Sequence, residues 1–322
     1  MNRIMVTGAS GYIGRALGLR LLADGFRVRA VLRRNGGGAA GGDGNRAGWE
    51  QLAVGDIGPD TDWSEALLGV DCVVHTAARV HVMAETVADP LAAFSEVNVA
   101  GTRRLAEQAA GAGVRRLVFI SSVKVNGEQT APGAPFLFSD APAPEDAYAV
   151  SKWEAEQALG QVAAQTGLEV VVVRPPLVYG PGAGGNFARL LGLVARGLPL
   201  PLGAVNNRRS LVALANLVDL LRVCVDHPAA AGRTFLVSDN DDLSTTELIR
   251  RLAAALGRPA RLLPVPPGLL RLGGRLLGRG AELERLLGSL QLDIAYTRQT
   301  LGWEPPVTVD DALRETVRGL PG

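Results

Sequence analysis

Two cysteines in 322 residues, Cys72 and Cys224, stand far apart and outside any metal-ligand spacing, so neither a disulfide framework nor a thiolate metal site is available. A chain of this length needs no such staple, and both thiols read as small buried hydrophobes. Charge of one sign is equally scarce. With 33 basic and 32 acidic side chains the net charge is +1, which offers no broad footprint for nucleic acid or an anionic membrane, and neither is an expected partner. No apolar run reaches the roughly eighteen charge-free residues of a membrane span. The opening MNRIMVTGAS lacks the long apolar core of a leader, so the expected location is cytoplasmic. Apolar content, at 47%, is ample for one large core or for a core with a smaller domain attached.

Short β-branched runs alternate with stretches of helical period: RIMVT, residues 13–24, FRVRAVL, DCVVHTA, residues 95–112, RRLVFISS, residues 148–167 and LEVVVVRP. That alternation predicts an α/β fold with a doubly wound parallel sheet. The runs VFI and VVVV are apolar throughout, as strands covered on both faces should be. Residues 35–48, NGGGAAGGDGNRAG, have almost nothing to bury and read as a surface excursion. Past Arg174 the alternation decays. Residues 1–173 are therefore expected to form the nucleotide-binding domain, and 174–322 a smaller, mainly helical lobe closing over the carboxyl ends of the strands, with segments around 211–240 returning to the sheet. The leucine-rich basic stretch 269–290 is expected to be an amphipathic lobe helix and not a membrane anchor.

The first strand runs straight into Thr7-Gly8-Ala9-Ser10-Gly11-Tyr12-Ile13-Gly14, and a helix follows at once. A helix N-terminus presents unpaired N–H groups and a positive dipole end, and glycines let a phosphate approach the backbone while helix packs on strand. At the start of a βαβ unit, with three-residue glycine spacing, this turn predicts a dinucleotide site and makes the sheet a Rossmann sheet. Gly8, Ser10, Gly11, Tyr12, Ile13 and Gly14 are its candidate contacts. The second strand ends in Arg33-Arg34, with no acidic residue to accept hydrogen bonds from a ribose 2′-hydroxyl. A guanidinium fork suits a 2′-phosphate, so NADP(H) is favoured and NAD(H) possible. Asp56-Ile57 could flank the adenine, and Ala77-Ala78 could let backbone pass close to the nicotinamide half.

Ser121-Ser122 closes the strand LVFI, and Tyr148-Ala149-Val150-Ser151-Lys152 opens the next long helix. Positions four apart share a helix face, so the Tyr148 phenol and the Lys152 ammonium can enter one cleft. A phenol with an ordinary pKa of about 10 is a poor acid or base near neutrality, and a neighbouring cation favours its phenolate form. Tyr148 is thus the candidate proton-transfer group, Ser122 the hydrogen-bond partner of the reacting oxygen, and Lys152 also a holder of the nicotinamide ribose. Ser121 and Pro175 complete the candidate cofactor contacts.

Taken in order, the glycine turn, Asp56-Ile57, the alanine pair, the strand-end serine and YAVSK resemble the extended short-chain dehydrogenase/reductase family, also described as NAD-dependent epimerases and dehydratases. The ending Leu301-Gly302-Trp303-Glu304-Pro305 resembles the C-terminal segment of its nucleotide-sugar branch, so the resemblance covers nearly the whole chain. It implies that Asn98 supports the catalytic water network, that residues 174–182 turn into the substrate lobe, and that the chain forms a homodimer through the helices of residues 95–112 and 148–167. It further implies substrate contacts at Asn186 and Arg209, with the arginine pairing a sugar-nucleotide diphosphate; His81, close to the predicted cleft, and Lys124 are further candidate substrate contacts. His75, ending a buried strand, reads as packing. The family's dehydratases carry Thr-Asp-Glu where this chain has Ser122, Val123 and Lys124, and without that carboxyl pair dehydration lacks its acid and base. Leu177 replaces the family's substrate-touching asparagine, which weakens the sugar reading somewhat. The expected reaction is hydride transfer at C4 of a UDP-sugar. Reduction of a UDP-4-keto-6-deoxy-N-acetylhexosamine for surface polysaccharide stands ahead of 4-epimerisation of UDP-glucose or UDP-N-acetylglucosamine. A small-carbonyl reductase and a non-catalytic dinucleotide sensor are further alternatives. No metal is expected.

Overall fold

The computed structural model describes residues 2–34, 46–80, 89–131, 133–278 and 280–319. The first half comprises β1 (Arg3–Thr7), α1 (Tyr12–Ala23), β2 (Arg27–Leu32), β3 (Trp49–Ala53), α2 (Ser64–Leu67), β4 (Cys72–His75), α3 (Pro90–Ser95), α4 (Gly101–Gly111) and β5 (Arg116–Ile120). There follow α5 (Ala147–Thr166), β6 (Glu169–Arg174), β7 (Leu177–Tyr179), α6 (Gly185–Ala195), β8 (Leu211–Ala213), α7 (Leu214–Asp226) and β9 (Thr234–Leu236). The chain closes with α8 (Thr245–Ala255), α9 (Pro267–Leu276), α10 (Gly280–Leu287), α11 (Ala295–Leu301) and α12 (Val309–Arg318).

Seven strands make one parallel sheet in the order β3-β2-β1-β4-β5-β6-β9. Successive strand side chains point to opposite faces. Accordingly Ile4 and Val6 of β1 join Leu17, Val118, Val173 and Leu217 on one face, while Met5 joins Val73, Leu105, Leu117 and Leu159 on the other. The unbroken apolar runs of the sequence are thus explained by burial on both sides, each such side chain contributing about 1.5–3 kcal/mol. Both cysteines sit in this core and are unpaired, and burial pushes each thiol up to about 12.

The reversal of strand order between β1 and β4 opens a crevice at the carboxyl ends of the sheet, the usual ligand position in this architecture. Of the segment expected to return to the sheet, β9 does so beside β6, whereas β8 pairs with β7 in a separate two-stranded sheet. That small sheet, α6, α8 and α12 enclose a third core around Tyr179, Phe187, Leu191, Leu252 and Leu313. The stretch 269–290, expected as one helix, forms two: Gly278 turns the chain at φ +67°, and α10 folds back so that Leu283 packs on Gly274 of α9.

Candidate active site

At the end of β1 the chain turns at Gly8, which holds φ +65°. A Cβ there would lie 2.9 Å from the Ala77 nitrogen, and one at Gly14 would collide with the Gly8 carbonyl oxygen. The glycines therefore let the turn, α1 and the Ala77-Ala78 segment approach one another closely, as the sequence reading requires. Gly11 caps α1 without a side-chain hydrogen bond, and the first turn carries no acidic residue. Its backbone N–H groups and dipole end are left to meet an anion. The Tyr12 hydroxyl is buried against Gly180 with no hydrogen-bond partner among the described residues. These features fit a dinucleotide diphosphate.

Beneath the turn, His75 is fully buried between two hydroxyls: Thr7 Oγ1 lies 2.7 Å from its Nδ1 and Thr102 Oγ1 lies 3.0 Å from its Nε2. Burial, aided by the Lys152 charge, pulls its pKa down to about 3 and keeps it neutral. His75 thus ties β1, β4 and α4 together, in line with a packing role. At the ribose end, Arg33 and Arg34 are exposed, and Arg33 pairs at 3.4 Å with Asp56, itself 83% exposed. The Arg33 fork is thus shared with a carboxylate from beyond β3. Ile57 packs on Gly101 at the start of α4.

The other half of the site is built on β5 and α5. Asp146 caps α5 by accepting from the Ala149 N–H at 2.7 Å, which fixes the first turn where Tyr148 and Lys152 emerge. Lys152 is 3% exposed, donates to the Ile120 carbonyl at 2.7 Å and lies 4.4 Å from the Phe119 ring centroid. Burial pulls its pKa down to about 7, against the pull of Glu156. The Tyr148 phenol, edge-on to Phe94 at 6.0 Å, is pushed up to about 12 by burial, with the Asp146 charge adding to it. The lowering of the phenol expected from a neighbouring ammonium is not found: burial of the hydroxyl opposes its ionisation, and the shift is upward.

Asn98 lies in a π-helical turn, Glu96–Ala100, between α3 and α4. It accepts from the Arg79 N–H at 2.8 Å and donates to Ser151 Oγ at 3.0 Å, while Ser151 donates to the Tyr148 carbonyl at 2.8 Å. A π-turn re-aims one residue out of helical register, a device common at functional sites. Ser122 Oγ accepts from the Lys124 N–H at 3.2 Å and caps the short turn Val123–Val125.

Several of the candidate contact residues also hold protein partners. The Ser121 hydroxyl donates to Glu156 at 2.5 Å. The Pro175 carbonyl accepts from the Val123 N–H. The Lys124 ammonium is held by Asp146 at 2.5 Å and Glu128 at 2.7 Å. The Arg209 guanidinium donates to the carbonyls of Arg285 and Gly288 at 2.7 and 3.0 Å, at the carboxyl end of α10. Asn186 is exposed in the first turn of α6, and His81 lies outside the described residues. Sequence reasoning missed the buried Glu156–Arg174 pair, at 2.5 Å, with Asn126 accepting from the same guanidinium at 3.0 Å. No local pattern marks such a pair, since its members are 18 residues apart. The Asp146 cap was legible, as an aspartate directly before a long helical run.

Residues 4–238 match the NAD dependent epimerase/dehydratase family. The chain belongs to this family. It is 46% identical over 320 residues to a UDP-glucose 4-epimerase of Vibrio cholerae, covering 98% of this chain and 95% of that protein. A UDP-glucose 4-epimerase of Mycolicibacterium smegmatis is 32% identical, with 98% and 97% covered. Among solved structures, a UDP-glucuronic acid 4-epimerase from Bacillus cereus in complex with NAD superposes with a TM-score of 0.79 at 20% identity, covering 98% of this chain and 96% of that one. The family resemblance read from the sequence is therefore borne out, and with it an NAD-dependent enzyme on a Rossmann fold.

Proposed function

We propose that this member of the NAD dependent epimerase/dehydratase family is a UDP-hexose 4-epimerase that works with retained NAD. The observation that carries the reading is the 46% identity, spread over 98% of the chain, to the Vibrio cholerae protein named for that activity. It reverses the order expected from sequence, in which ketone reduction came first. The absence of a carboxyl pair at Val123 and Lys124 speaks against dehydration.

In this reading the cofactor, when bound, supplies the acceptor and donor of hydride. Tyr148 takes the proton of the sugar's C4 hydroxyl and returns it, Ser122 hydrogen-bonds the same oxygen, and Lys152 orients the nicotinamide ribose. Asn98 holds the first turn of α5 through Ser151. Arg209, whose Nη1 is already bonded to two carbonyls, would meet the diphosphate through its remaining N–H groups. Self-association through the outer faces of α4 and α5 belongs to the same proposal. The exposed Arg33-Arg34 pair favours a second reading, an NADPH-dependent 4-ketoreductase, because it suits a 2′-phosphate.

The test offers UDP-glucose and UDP-N-acetylglucosamine to the purified protein without added coenzyme, with the sugar's C4 configuration followed by NMR. Accumulation of the C4 epimer is expected, and Tyr148→Phe should lower turnover about a thousandfold while retaining the dinucleotide. No epimer, together with NADPH oxidation in the presence of a UDP-4-keto-6-deoxyhexosamine, would overturn the epimerase in favour of the reductase.

A further inference from the structure

The near-zero net charge conceals a local asymmetry. Residues 248–281 hold seven arginines and not one acidic side chain, so the rest of the chain is net acidic. Within that window Leu263, Leu269, Leu272, Leu276 and Leu277 stand 50–80% exposed. Large apolar side chains exposed singly are ordinary, but a contiguous set on one element marks an interaction surface.

Helical geometry sharpens the pattern. At about 100° per residue, Leu269, Leu272 and Leu276 of α9 fall within an arc of about 60°, with Arg275 about 60° beyond its edge and Arg271 turned further round, toward α10. The opposite face is anchored: Gly274 is buried under Leu283, and Leu270 packs on the lobe core. Arg271 is pinned to Glu284 at 3.1 Å, while Arg250, Arg258, Arg261 and Arg275 are exposed. A leucine ridge beside a basic flank, on a helix held by its other side, combines the two requirements of an interfacial element: apolar area to bury and cations for anionic headgroups. No helix among the described residues is long and apolar enough to cross a membrane, so the contact is one of lying on a surface. A second copy of the chain is a poor occupant, because a two-fold interface would set this cationic patch against itself.

We propose that α9 docks on an anionic phospholipid bilayer, with its leucine ridge at the acyl boundary and Arg275, on the flank of that ridge, at the headgroup phosphates. The docking is independent of the catalytic reading, since none of these side chains belongs to the site.

The full-length protein is sedimented with vesicles of phosphatidylcholine alone and of phosphatidylcholine mixed with phosphatidylglycerol. Binding is expected only with the anionic lipid, and it should weaken as salt is raised. Arg275→Ser should reduce partitioning about fivefold. Leu272→Ser combined with Leu276→Ser should reduce it by more than about tenfold. Circular dichroism of each variant shows that it is folded, whatever its substrate proves to be. The proposal is overturned if the wild type stays in the supernatant with anionic vesicles, or if folded leucine variants bind as the wild type does. It is overturned equally if those variants convert a dimer to a monomer without changing sedimentation, which would give the face to a second copy.

Discussion

His75 offers a test of the packing beneath the cofactor turn through the pH dependence of stability. Its ordinary pKa of 6.5 falls to about 3 in the fold, because burial opposes the imidazolium and the Lys152 charge adds to it. The folded value lies below the unfolded one, so between the two the unfolded chain binds more protons. The stability contributed by the neutral ring is therefore complete above the unfolded value and is lost as pH falls toward 3. Integrating that difference gives a loss of about 3 kcal/mol between about pH 7.5 and 4.5. Lys152, lowered to about 7 from 10.5, acts in a separate window: stability rises with pH from 7 to 10.5 and is indifferent to it below. Urea unfolding of the wild type and of His75→Gln across the acid range isolates the effect, since carboxylates titrate in both. The variant should be less stable at neutral pH and should lose about 3 kcal/mol less on acidification. Parallel profiles for the two proteins would refute the reasoning, because His75 would then titrate alike folded and unfolded.

Gly14→Ala should yield protein without retained dinucleotide, because the added methyl collides with the Gly8 carbonyl that shapes the turn; normal coenzyme content after purification would contradict this. Arg174→Leu should cost about 3–5 kcal/mol in denaturant unfolding by stranding Glu156, 8% exposed, without its cation. Replacing both Glu156 and Arg174 by leucine should cost less than the two single changes together, and strict additivity would refute the coupling. Arg209→Ala should raise the KM for a UDP-sugar about tenfold or more if the guanidinium meets a diphosphate. An unchanged KM with lowered stability would leave Arg209 as a pin on α10.

Much of the site was legible because its signals are local. A glycine turn between strand and helix, a serine at a strand end and a tyrosine and lysine four apart each depend on neighbours within a few residues. They fall at the carboxyl ends of β1 and β5 and in the first two turns of α5. What was not legible was the protein partner that each polar residue near the site also holds. The Ser121 hydroxyl went to Glu156, Lys124 to Asp146 and Glu128, and the Arg209 guanidinium to two carbonyls.

By itself the sequence determined the layered α/β architecture and the chemistry available to it, since apolar periodicity and backbone demands such as φ > 0 at Gly8 are properties of short segments. Only the tertiary structure decided the partner of each buried charge. It drove the Tyr148 phenol up and Lys152 down, placed Asp56 beside Arg33, and divided the stretch 269–290 into two helices with a leucine face outward. Desolvation and ion pairing depend on distances between segments far apart in the chain, and those distances exist only once it has folded.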